Sequence, residues 1–136
     1  MKLLDLTLRE GEQRPGVEYT ADQKVGAARA LDDLGVDYLQ LGFPIAGEKT
    51  KEVAERLDTD AKTTGIARAI PRDVEATLAA EVDVVDLFAP TSDAQLDAVL
   101  GKSREEMVEA VQEAADLEDL RARAVEVRRA LSAGEL

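Results

Sequence analysis

The chain contains no cysteine, which removes disulfides, thiolate metal sites and thiol nucleophiles together. It contains no histidine either, so the commonest metal ligand and the commonest general base near neutral pH are missing. No run approaches the roughly 20 unbroken apolar residues that cross a bilayer. The opening MKLLDLTLREG reaches acidic residues too early for a signal peptide. These features predict a cytoplasmic protein with no membrane partner. Basic charge is also short: 17 Lys and Arg face 29 Asp and Glu, a net charge of −12. That balance repels a phosphate backbone, so nucleic acid is not an expected partner. The acids (Asp32, Asp33, Glu52, Glu55, Asp58, Asp60, Asp73, Glu75, Glu105, Glu106, Glu109, Glu113) are scattered and read as a solvated acidic surface. With Arg outnumbering Lys, a salt-adapted source is expected.

What is present is a 136-residue chain, 45% hydrophobic, enough for one domain with its own core. Short apolar, β-branched runs, LLDLTLR (3–9), DYLQLGF (37–43), AKTTGIAR (61–68) and VDVVDLFAP (82–90), alternate with helical patterns at 20–35, 47–58 and 71–82. Thr20 with Gln23 forms a capping box, Gly35 suits a helix stop and Pro71 a first helical turn. The pattern predicts an α/β fold with about four parallel strands and helical crossovers, part of a (β/α) barrel. Beyond the fourth strand, from about Asp93 to Leu131, Gly101 is the only glycine and there is no proline. Met107, Val111, Ala114, Leu117, Leu120, Ala124, Val127 and Leu131 recur there at helical spacing, predicting one or two long amphipathic helices packed on the core.

Side chains alternate along a strand. That parity sets Leu4, Leu6 and Leu8 toward the helices and Asp5, Thr7 and Arg9 inward. In the second strand it sets Leu39, Leu41 and Phe43 against Tyr38, Gln40 and Gly42; Thr64 and Arg68 share a face in the third, and Asp86 opposes Val85 and Leu87 in the fourth. Asp5, Arg9, Gln40, Thr64, Arg68 and Asp86 are thus expected to converge on a common interior. Barrel chemistry sits at the carboxyl ends of the strands, where Arg9, Glu10 and Arg68 fall. A carboxylate there can hold a hard divalent cation and a guanidinium can stabilise an oxyanion. The spacing equally allows a buried Asp5–Arg9 ion pair that only orients the loop.

The stretch DLTLREGEQRPGVEYTADQKVGAARALDDLGVDYLQLGFPIA, followed by TGIARAIPRDVEATLAAEVDVVDLFAPTSDAQLDAVLGKSREEM, resembles the N-terminal half of the 2-isopropylmalate, homocitrate and citramalate synthases. These are acyl-CoA-condensing TIM barrels related to hydroxymethylglutaryl-CoA lyase. The resemblance covers residues 2 to about 115, leaving 116–136 as a helical tail. It implies a C–C bond-forming acyltransferase of amino-acid biosynthesis that joins acetyl-CoA to a 2-oxo acid held on Mg²⁺, Mn²⁺ or Zn²⁺. Matched by position, Arg9 stabilises the enolate or keto oxygen and Gln13 helps hold the acyl group or substrate. Glu10 is a metal ligand, Arg68 meets the substrate carboxylate, and Gln40, Thr64 and Ser92 line the site. Glu10 together with Asp86 looks most like the homocitrate synthase branch.

The sequence also departs from the family. Gln40 stands where a glutamate is usual, and Ala94 and Gln95 lie where many relatives place a histidine. The His-x-His pair of a later strand has no counterpart in a chain without histidine. A whole barrel takes roughly 250 residues. An incomplete barrel with two open edges is expected to pair with another copy or with a complementary half, and to be inactive alone. The other readings are a non-catalytic remnant or interaction module, and a lyase or aldolase subunit.

Overall fold

The computed structural model describes residues 1–133, with side chains described for residues 1–98, 101–117 and 119. One parallel sheet has its strands in chain order: β1 (Leu4–Asp5), β2 (Tyr38–Gly42), β3 (Lys62–Arg68) and β4 (Val84–Phe88). Helices α2 (Ala21–Asp33), α3 (Lys49–Glu55) and α4 (Pro71–Ala79) form the crossovers, after a single turn α1 (Thr7–Glu10). Parallel neighbours joined each time through a helix are the repeating unit of a (β/α) barrel, of which four strands are present.

Local chemistry sets these boundaries. At the start of α2 the Thr20 hydroxyl accepts from the Gln23 N–H at 3.2 Å, and the Gln23 side chain accepts from the Thr20 N–H at 2.9 Å. Caps of this kind contribute about 1 kcal/mol. Gly35 ends the helix with φ 84°, a conformation that costs glycine least. Pro71 occupies the first turn of α4, where its missing N–H is no loss.

Two apolar layers cover the helix side of the sheet. Leu8, Val25, Ala28, Leu39, Leu41 and Val53 pack under α2 and α3. Ala67, Ala69, Val74, Val85, Met107 and Ala114 pack between β3, β4, α4 and the C-terminal helix. The sheet approaches α4 closely at Gly65, where a Cβ would stand 2.9 Å from the Thr77 methyl and 3.1 Å from Pro44. No described helix is long and apolar enough to cross a membrane.

The first strand differs from expectation. It ends at Asp5 rather than residue 9, because the Asp5 carboxylate accepts from the Thr7 N–H at 2.9 Å and its hydroxyl at 3.2 Å, turning the chain into α1. Strand parity therefore stops at Asp5. Leu4 and Leu6 are exposed at 42% and 36%, and only Leu8 is buried.

After β4 comes α5 (Asp93–Gln95), a wide turn at Leu96–Leu100, Gly101 in the left-handed region at φ 59°, and α6 (Arg104–Ala133). Met107 and Ala114 are buried, with Val111 and Leu117 packed against them. Leu120, Ala124, Val127 and Leu131 lie outside the described side chains. No break in α6 marks the junction at 115/116.

Candidate active site

The turn following β1 brings Arg9, Glu10 and Gln13 together. The Arg9 side chain is 17% exposed, and its Nη2 lies 2.6 Å from Glu10 Oε1. With the Gln13 amide nitrogen turned toward Glu10, it donates to Oε2 at 3.2 Å while its oxygen accepts from Arg9 Nη1 at 2.9 Å. Arg9 Nε donates to Gln40 Oε1 in β2. Gln40 Nε2 donates to Asp86 Oδ2 in β4 at 2.6 Å, and the Thr64 hydroxyl in β3 donates to the same oxygen at 2.5 Å. One polar residue from each of β2, β3 and β4 thus joins the Arg9 turn in a continuous network, with Gln40 and Thr64 buried at 4% and 1% exposure.

Gln40 matters because an amide has two unlike ends. Its oxygen faces a guanidinium and its nitrogen a carboxylate, so the charge of Asp86 is relayed to Arg9 without setting two carboxylates together. Gln40→Leu removes both bonds and is expected to cost about 1.5–3 kcal/mol. Urea denaturation measures this, and an unchanged midpoint would show that the relay does not form in solution. A guanidinium has five N–H donors, and three are accounted for here. The remaining two can meet an oxyanion.

Two residues expected to converge stand outside this network. Asp5 is engaged with Thr7. Arg68 turns to Asp73 on α4, with Nε to Oδ2 at 2.6 Å and Nη2 to Oδ1 at 3.0 Å, and lies 5.7 Å from the Phe43 ring centre. The bidentate geometry wins because Asp73 sits five residues on, where the α4 start overhangs the end of β3. Asp73 is 0% exposed, which corrects its expected place on the solvated surface. Its carboxyl is held below the usual range, first by the Arg68 hydrogen bonds and against the opposing effect of burial. Ser92 is exposed and caps α5, its hydroxyl accepting from the Gln95 N–H at 3.4 Å.

A second cluster, invisible to the sequence reading, anchors the Arg9 turn from behind. Lys24 on α2 is 2% exposed; its ammonium lies 2.6 Å from Glu12 Oε2 and donates to the Leu41 carbonyl at 3.1 Å. Glu12 Oε1 accepts from the Tyr19 N–H at 2.9 Å and from Lys49 at 3.3 Å. Burial alone raises the Glu12 carboxyl, yet the bonds from Lys24, Tyr19 and Lys49 outweigh it and hold it below the usual range. The available signal was a lysine beside Val25, one turn before Ala28, on a helix face that is otherwise apolar.

Among the described residues, no three of His, Cys, Asp and Glu gather as a metal-binding group. Glu10 is a single carboxylate whose oxygens face Arg9 and Gln13, short of the six or more oxygens of a hard-cation site. These residues do not by themselves fit a divalent metal.

The family model described as HMGL-like matches residues 1–132. The chain belongs to the HMGL-like family. Among its relatives, the "Probable 2-isopropylmalate synthase" of Methanopyrus kandleri is 43% identical over 112 residues, covering 80% of this chain and 22% of that protein. The 2-isopropylmalate synthase of Sulfolobus acidocaldarius is 34% identical over 117 residues, covering 83% and 30%. This HMGL-like chain therefore spans about a fifth to a third of the length of the curated relatives it matches. Among solved structures, the HMG-CoA lyase of Bacillus subtilis superposes with a TM-score of 0.70 at 17% identity, over 90% of this chain and 42% of that one. The HMG-CoA lyase of Brucella melitensis gives 0.68 at 18%, over 87% and 45%. At that identity the likeness establishes the fold, a partial TIM barrel.

Proposed function

We propose that this chain carries the Arg9 portion of the active site of an enzyme that condenses acetyl-CoA with a 2-oxo acid, of the 2-isopropylmalate type. The carrying observation is the network that aims Arg9 from Glu10, Gln13, Gln40 and, through Gln40, Asp86. In this reading the two uncommitted donors of Arg9 stabilise the oxygen of acetyl-CoA as its methyl gives a proton to a base supplied from beyond these residues and becomes the enolate. Gln13 and Thr64 border the acyl group. The enolate carbon then attacks the ketone of the 2-oxo acid, whose oxygen takes the proton back from that base as the C=O π bond opens, and water cleaves the thioester to a carboxylate and free CoA.

A divalent metal held partly by Glu10 belongs to this reading only with ligands from beyond these residues. The remainder of the barrel comes from further sequence or from a second polypeptide meeting the open edges of β1 and β4, and the setting is the cytoplasm. The homocitrate alternative rests on Glu10 and Asp86 alone, whereas the similar relatives above bear the name 2-isopropylmalate synthase. The thin donor set around Glu10 favours a second reading for the chain by itself, a non-catalytic barrel fragment.

The test measures free CoA from acetyl-CoA with 2-oxoisovalerate, 2-oxoglutarate or pyruvate, with and without Mn²⁺. It uses this chain alone and this chain mixed with the C-terminal part of a 2-isopropylmalate synthase barrel. Release with 2-oxoisovalerate in the mixture, reduced about 10²–10³-fold by Arg9→Ala, is the expected result. No release in any combination leaves the non-catalytic reading.

A further inference from the structure

Residues 14–18 join the Arg9 turn to α2 with little structure of their own. Their internal backbone bonding is a single turn, from the Val17 N–H to the Arg14 carbonyl at 3.1 Å, beside Gly16 at φ 79°. A segment so thinly bonded opens at little cost unless its ends are held. Its far end is held in two unlike ways. Tyr19 folds back onto the turn: its N–H donates to Glu12 at 2.9 Å, and its hydroxyl lies so close over Gly11 that a Cβ there would stand 2.3 Å from it. Glu18 reaches across to α3 instead, where the Lys49 ammonium lies 2.8 Å from its Oε1.

Lys49 stands at the first position of α3, where the helix dipole favours a carboxylate over an ammonium. Two carboxylates offset that placement, Glu18 at 2.8 Å and Glu12 at 3.3 Å. Together they hold the ammonium above its usual range, the Glu18 hydrogen bond contributing most. The Glu18 side chain is 82% exposed, whereas the neighbouring Lys24–Glu12 pair is exposed at only 2% and 23%. Exposed pairs are weak and easily screened; at 1 M salt the screening length is roughly 3 Å. Salt therefore releases Glu18 before it disturbs Lys24.

We propose that Lys49 is an ionic latch that clamps residues 14–18 against α3 at low ionic strength and frees them at high ionic strength. Tyr19, seated on Gly11 and bonded to Glu12, stays in place as the hinge. Gln13, at the root of this strap, bonds to Arg9 and Glu10, so the freed strap loosens Gln13 at the Arg9 turn. Any effect on condensation rests on the function proposed above; the latch itself does not.

The test follows amide hydrogen exchange by NMR in the 136-residue chain, without substrate, at about 0.05 M and about 1 M KCl. At low salt the Val17 amide should exchange about threefold faster in Lys49→Gln and in Glu18→Gln than in the native chain, both variants being checked for native circular dichroism. At high salt the native rate should rise to meet that of the variants measured in the same buffer. The Tyr19 amide should keep its protection throughout. Lys51→Gln, which removes the neighbouring pair with Glu55, should leave Val17 unchanged. Equal Val17 rates in native and Lys49→Gln at low salt, a difference that persists at high salt, loss of Tyr19 protection together with Val17, or the same acceleration in Lys51→Gln each overturns the proposal. Failure of CoA release leaves the latch standing, and a strap indifferent to salt leaves the Arg9 reading untouched.

Discussion

Glu12→Ala is expected to destabilise the protein by about 3–5 kcal/mol, whereas Lys24→Met should cost about 1–2 kcal/mol. The two residues form one ion pair at 2.6 Å, yet what each deletion leaves behind differs. Removing Glu12 strands an ammonium that is 2% exposed with only the Leu41 carbonyl as partner. Removing Lys24 leaves a carboxylate still bonded to the Tyr19 N–H and Lys49, on a side chain 23% exposed. Denaturant midpoints with matched m-values decide it, and equal losses in the two variants would sink the asymmetry. Acid carries the same signature. The folded Glu12 carboxyl titrates below its unfolded value, so its stabilisation is complete above about pH 4.3. It drains away as pH falls through the depressed folded value. Glu12→Ala should show none of that component.

Arg68→Met is expected to cost a comparable 3–5 kcal/mol at neutral pH, because it leaves Asp73, 0% exposed, as a buried carboxylate stripped of its ion-pair partner, with only the backbone N–H of residue 68 still donating to it. Asp73→Asn should cost less, about 1–2 kcal/mol, since Arg68 is 41% exposed and water can take over its solvation. The pH response should invert between native protein and variant. In the native chain the depressed Asp73 value makes its stabilisation complete above about pH 3.9 and lost as acid protonates the pair. In Arg68→Met, burial is opposed only by the weaker effects of the backbone N–H of residue 68 and the Arg72 charge, and pushes the carboxyl up. The deficit then shrinks as pH falls through that raised value. Urea melts at pH 7, 5 and 4 separate these behaviours; a deficit that stays constant across them contradicts a buried carboxylate stripped of its ion-pair partner.

Most of the architecture was legible because local and global signals agreed. The Thr20–Gln23 box, Pro71 and Gly35 sit where the reading placed them, and β2, β3 and β4 fall inside the apolar runs that predicted them. The inward positions of Gln40, Thr64 and Asp86 follow from period-two alternation in strands long enough to keep it. β1 failed for a stated reason: an aspartate two residues before a threonine offered the backbone a turn, and local hydrogen bonding overrode an apolar alternation. Arg9 still reaches the interior, carried by a helical turn in place of strand parity. Arg68 was misplaced because parity says nothing about how far a long side chain reaches past a strand end. Glu12 and Asp73 were missed because each charge, taken alone in sequence, is indistinguishable from a solvated one, whereas the signal for Lys24 was its place on the apolar face of α2 with Ala28.

The brevity of β1 bears on how the molecule comes apart. Only Leu4 and Asp5 pair with β2, while β3 and β4 share a five-residue ladder. The chemistry-bearing turn therefore hangs from side-chain tethers at Lys24 and Gln40 more than from backbone pairing. Sheet and turn then belong to separate cooperative units: amide protons in β3 should be the last to exchange, and those around Gly11 among the first. Salt and acid act on the tethers directly, so the Arg9 turn can loosen while the platform beneath it stays folded.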